Sequence, residues 1–142
     1  LVMATPLTLK PEKFLRLEGK YSSVADFTLL PCPGLMELIE EGHTDDETLA
    51  KYLENLFSSL EKTDFDAIVL GCTHYPHASK AIAKFFPGTP IYDGCRGTAM
   101  QTARRLGEEQ LLKTDGKKGE IEFITTAENE KFEPLCRKLL SI

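Results

Sequence analysis

The sequence predicts an α/β fold in which a parallel sheet carries helices on both faces. Three observations predict it. Short apolar runs alternate along the chain with stretches whose apolar residues recur at steps of three and four, and that alternation is how parallel sheets are built. Proline, glycine and helix-capping residues separate nearly every pair. The residues able to do chemistry cluster directly after the apolar runs, where ligands gather outside the carboxyl ends of strands in such sheets.

Taken in order, LVMATP opens the chain as a strand closed by Thr5 and Pro6. LKPEKFLRLEGK follows as a helix, with Pro11 near its start and Gly19 near its end. DFTLLP, residues 26–31, is a second strand stopped by Pro31-Cys32-Pro33-Gly34. LMELIEEG is a short helix ended by Gly42. Thr44 then offers an N-cap and Glu47 a capping box. Leu49, Tyr52, Leu53, Leu56, Phe57 and Leu60 give the next helix one apolar face. DAIVLG is a strand, ASKAIAKFFPG a helix, TPIYDG a strand and TAMQTARRLGEEQLL a helix. After the polar loop KTDGKKG come a final strand, IEFITT, and a final helix, ENEKFEPLCRKLL, in which Pro134 is an awkward guest.

At 142 residues, 42% hydrophobic and 27% charged, the chain has the means of an ordinary globular domain. Its net charge of −5 comes from interspersed acids and bases. There is no basic stripe for a phosphate backbone, so no nucleic-acid partner is expected. No apolar run approaches the roughly 20 residues of a membrane span. Cysteines 32, 72, 95 and 136 lie far apart without CxxC spacing. Free thiols in a reducing compartment, hence the cytoplasm, are expected. Because the sequence starts at Leu1 and opens directly on a strand, it is expected to be part of a longer protein.

The strand ends collect Thr5, Cys32, Cys72-Thr73-His74, Asp93 and Thr125-Thr126. The stretch DAIVLGCTHYPH, residues 66–77, is the densest of these. Singly, Cys72 reads as a small buried hydrophobe and His74 as an edge imidazole satisfied by a carbonyl. Together in one turn they invite a sharper reading. A phosphate-cradling thiolate of the C-x5-R type fails because Ala78 stands where arginine is needed. A metal site could draw on Cys72, His74 and His77, but no second ligand pair has the expected spacing, so no metal is expected. Acid–base chemistry by the thiol remains. A thiol has an ordinary pKa near 8.5, and an adjacent imidazole or a helix N-terminus shifts the balance toward thiolate.

LGCTHYP resembles the second catalytic motif of cofactor-independent glutamate racemases, in the aspartate/glutamate racemase superfamily. ATPLT at 4–8 is similar to the family's G-T-x-x-T segment. CPGLMELIEEG at 32–42 resembles its C-P-x5-L-V-E-x-G stretch, and IYDGCRGTA at 91–99 its I-D-x-G-x-x-x-A segment. The resemblance extends through IEFITT to the end. It implies a flavodoxin-like sheet of four strands in residues 1–93, forming the family's second domain, with residues 94–142 completing the first domain. It implies racemisation of glutamate by two thiols, without a cofactor. Cys72 would be one catalytic thiol, His74 its assistant and a substrate contact, Thr73 a further substrate contact, and Glu40 an auxiliary carboxylate, with Glu41 the fallback. Cys32 would be structural, Cys95 a spectator and Cys136 core.

The family's D-S, Y-G and C-N-T motifs of the first domain are not in these 142 residues. The chain alone is therefore expected to lack racemase activity and to need that missing N-terminal domain as its partner. An unpaired IEFITT edge would favour a homodimer. Two other readings stay open: a racemase for another acidic amino acid, and a non-catalytic α/β module binding a small anion or a protein.

Overall fold

The computed structural model describes residues 1–10, 12–61, 64–126 and 129–140, and the chain divides into two compact units, Leu1–Gly94 and Cys95–Ile142. The first unit is built on strands β1 (Val2–Ala4), β2 (Leu29–Pro31), β3 (Ile68–Leu70) and β4 (Ile91–Asp93). All pair in parallel in the order β2-β1-β3-β4. Between them run α1 (Pro6–Leu9), α2 (Glu12–Tyr21), α3 (Leu35–Glu40), α4 (Glu47–Phe57), a 3-10 turn (Tyr75–Ala78) and α5 (Ser79–Phe85). This is the parallel α/β sheet that the sequence predicts.

Strands this short cannot stand alone, because their few ladder bonds do not offset the ordering of the chain. Burial supplies the difference. All three residues of central β1 are buried, so both of its faces are covered. Met3 pairs in register with Leu30 and Leu70, and all three are buried. They share one face with Ile68, against which Leu35, Ile39, Leu49, Leu53 and Ile82 complete a core of fully buried side chains. Phe57 closes one end, edge-on to Phe85 and Phe86 at 5.2 and 4.8 Å between ring centroids.

Local chemistry moved several boundaries. Thr5 caps α1 through its side chain and Pro6 occupies the first turn, so the single helix expected over residues 9–20 is two; Pro11 lies outside the described residues. The cap of α4 is Asp46, not Thr44. Its carboxylate accepts from the Leu49 N–H at 3.0 Å. That bond, then the His43 side chain, holds the carboxyl below its ordinary range. An anion complements the helix N-terminus better than a hydroxyl, and Glu47 becomes the first helical residue, so no capping box forms.

The second unit contains α6 (Cys95–Glu108) and α7 (Asn129–Leu140). Helix α6 starts three residues before the expected Thr98 and stops early. Gln110 adopts a left-handed φ of 57°, and the Leu111 N–H returns to the Leu106 carbonyl at 2.8 Å, a closure that ends helices. Helix α7 holds Pro134 within it; Glu128, expected at its start, lies outside the described residues. The strand expected at IEFITT is absent: residues 121–125 have no regular structure. A strand needs a neighbour for its N–H and C=O groups, and among the described residues this unit has no other. The edge-pairing argument for a dimer falls with it. Cys136 is half-buried and not core.

Two stability predictions follow from the packing of the sheet. Gly71 donates its N–H to the Met3 carbonyl at 2.8 Å, and a Cβ there would stand 3.1 Å from Ala4 Cβ and 3.3 Å from Met3 O. Gly71→Ala should destabilise the protein by about 1–3 kcal/mol through overpacking, measured by urea unfolding. Cys32 is 2% exposed, and burial pushes its thiol from an ordinary value of 9.0 up to about 12. The folded state therefore holds this proton where the unfolded chain releases it. Stability present below pH 9 is lost as pH rises toward 12, at up to about 1.4 kcal/mol per pH unit. The buried Tyr75 and half-buried Tyr52 phenols, also raised chiefly by desolvation, add the same sign at higher pH. Cys32→Ala should flatten the slope between pH 9 and 10, read from unfolding curves at stepped pH.

Candidate active site

The close contact at Gly71 fixes where β3 ends, and the chain turns at once. The Tyr75 N–H bonds to the Cys72 carbonyl at 3.2 Å and the His77 N–H to the His74 carbonyl at 3.1 Å. Pro76 sits in the first turn of the 3-10 segment, where its missing N–H costs nothing. This tight turn leaves Cys72 and His74 half-buried and Thr73 exposed.

The side chains then form a line. Cys72 Sγ lies 3.8 Å from His74 Nδ1, and His74 Nε2 lies 3.1 Å from Glu40 Oε1. Glu40 is the last residue of α3. An ionised carboxylate only accepts hydrogen bonds, so His74 Nε2 is the donor and Nδ1 faces the sulfur. Nδ1 can then take the thiol proton, on a ring that stands between the sulfur and the Glu40 carboxylate. A base oriented by a third group is the general arrangement for activating a thiol. Glu41, the fallback, faces His43 instead, at 3.9 Å. Geometry thus puts Glu40 on the imidazole.

The other rim residues separate from this line. Thr5 is used as the α1 cap. Cys32 is sealed in the core, donating its S–H to the Leu30 carbonyl at 3.3 Å. Asp93 ends β4 and is exposed. Thr125 and Thr126 follow no strand. Cys95, at the start of α6, is exposed. Burial, then the charge of His74, lowers the pKa of His77. Among the described residues no group of three or more His, Cys, Asp or Glu side chains could hold a metal ion, so Cys72, His74 and His77 do not assemble as ligands.

Sequence reasoning passed over Tyr75. It is completely buried, and its hydroxyl donates to the Cys32 carbonyl at 3.2 Å. The signal was present, since a tyrosine among apolar residues needs a partner for its O–H, but the partner is 43 positions away. Two surface pairs were also passed over. His43 meets Asp46 at 2.7 Å and Lys84 meets Asp45 at 2.5 Å, and both fasten the loop that follows α3.

No protein-family model matches the sequence. Curated relatives do. A glutamate racemase of Clostridium acetobutylicum is 42% identical over 142 residues, which is 100% of this chain and 56% of that protein. One from Clostridium botulinum is 43% identical over 141 residues, 99% of this chain and 55% of its own. The chain thus spans about half the length of the curated relatives it matches. Among solved structures, the glutamate racemase of Francisella tularensis in complex with D-glutamate has a TM-score of 0.81 at 26% identity, covering 99% of this chain and 53% of that one. A glutamate racemase of Bacillus anthracis has the same fold, with a TM-score of 0.82, at 23% identity and over 53% of its length. No helix among the described residues is long and apolar enough to cross a membrane. Identity over the full chain and the shared fold agree: the whole chain is similar to a stretch equal to about half of a glutamate racemase.

Proposed function

We propose that this chain is part of a cofactor-independent glutamate racemase and that Cys72 is one of its two acid–base thiols. The observation that carries the reading is the Cys72–His74–Glu40 line at the rim of the sheet, in a chain whose relatives are glutamate racemases. Inverting the α-carbon requires a proton to leave one face and another to arrive on the opposite face. Cys72 serves one face: as thiolate it removes the proton, and as thiol it returns one. His74 holds the matching proton during each half of the cycle, oriented by Glu40. Thr73, exposed beside them, and the imidazole are placed to meet the charged groups of the amino acid.

The second thiol belongs to a further domain equivalent to the relatives' remaining length, which residues 94–142 help to complete. That division accounts for α6 having no buried residue among its own. Glutamate is the substrate in this reading, by kinship with the relative solved with D-glutamate. The cytoplasm and the supply of D-glutamate for peptidoglycan are the corresponding setting.

A positioned acid or base contributes about 10²–10⁴-fold, roughly 3–5 kcal/mol of barrier. Cys72→Ser, in the longer gene product containing this stretch, should lower kcat for D/L-glutamate interconversion by at least about 10²-fold. His74→Asn should lower it less. Full turnover by the Cys72→Ser enzyme, or turnover of aspartate and not glutamate by the unsubstituted one, would refute the assignment. The 142-residue chain alone should show no interconversion in a circular-dichroism assay.

A further inference from the structure

We infer that Tyr75 is a positioning residue for the thiol: its buried hydroxyl ties the turn after β3 to the turn after β2, and so sets Glu40 against His74. The two turns lie on opposite sides of β1 in the strand order β2-β1-β3-β4. Glu40 belongs to the β2–α3 side and His74 to the β3 side. Their own contact cannot hold them, because the Glu40 side chain is 54% exposed and such pairs are weak and easily screened.

The neighbours are what is fixed. Tyr75, adjacent to His74, is 0% exposed, and Cys32, three residues before α3, is 2% exposed. Their hydrogen bond at 3.2 Å is buried. The Cys32 N–H is itself tied to the Ala4 carbonyl at 2.9 Å, so the tether is anchored on the central strand. Leu35 and Ile39, on the buried side of α3, are fully enclosed, and α3 packs against the 3-10 turn that Tyr75 begins. A hydroxyl lost here leaves the Cys32 carbonyl with only a long contact to the Leu35 N–H, at 3.5 Å. The volume stays filled by the ring, while the bond that registers the two turns is gone.

The titratable groups on the elements packed here are His74, His77 and the Tyr75 phenol on the turn, Glu40 on α3 and Cys32 beneath, with the Tyr52 phenol farther along, donating to the Pro33 carbonyl. Both phenols stay protonated through the neutral range, because burial raises them.

The test measures iodoacetamide alkylation of Cys72, by peptide mass spectrometry, against pH in the native chain. Tyr75→Phe should slow the reaction at pH 7 by threefold or more and displace its pH profile upward, because an imidazole no longer held by Glu40 assists the thiol less. Glu40→Gln should do the same, and the double variant should be no slower than the slower single. Leu53→Val, a core truncation on α4, should leave the rate unchanged. Independently of any variant, the Tyr75 hydroxyl proton should exchange slowly by NMR. Four results would overturn the inference: a folded Tyr75→Phe chain alkylated at the native rate, effects that multiply in the double variant, a Tyr75→Phe chain that does not fold, or a hydroxyl proton exchanging as in free tyrosine. The consequence for turnover rests on the racemase reading, but alkylation does not, so the two can fail separately.

Discussion

The hydrogen bond from the Gly71 amide to the Met3 carbonyl is the constraint on which the arrangement depends. It brings the end of β3 close against β1, where a Cβ would crowd Ala4 Cβ at 3.1 Å and the Met3 carbonyl at 3.3 Å, so glycine suits that approach. Once it is made, the next residue must leave the sheet, and that residue is Cys72. The sulfur stands at the rim because the backbone leaves the ladder there.

What surrounds the sulfur follows from how the domain divides its labour. Apart from the Cys32 thiol and the Tyr75 hydroxyl, the buried side chains of the described residues are apolar, and they hold the helices to the sheet without regard to chemistry. The polar line of thiol, imidazole and carboxylate lies at the margin and adds little to stability. It can therefore be arranged for reactivity and not for folding, provided that buried neighbours on each side keep the two turns in place. Functional groups borne on loops above a rigid scaffold are a general solution.

Much of this was legible in the sequence. The alternation of apolar runs and amphipathic stretches gave four parallel strands because each run is short, apolar and followed by a breaker. The CTHYP turn was legible because three reactive residues in one turn are hard to explain by packing. The spatial partners were less so. The sequence favoured Glu40 and kept Glu41 as the fallback, since one residue of helical register rotates a side chain by about 100°. Tyr75 was missed because its partner is a backbone carbonyl, which carries no signature in the sequence. IEFITT was misread for the opposite reason: its local pattern suits a strand, but a strand also needs a neighbour, and pattern alone does not provide one.

Glu40 leaves more than half of its side chain in water. The outer end of the line is thus continuous with bulk solvent, while its inner end is the sulfur. In the reaction proposed above, a hydrogen passed from carbon to Cys72 would have a short route outward through the imidazole, and its replacement could arrive by the same route. Material turned over at such a centre would carry the isotope of the water around it and lose that of its own α-carbon.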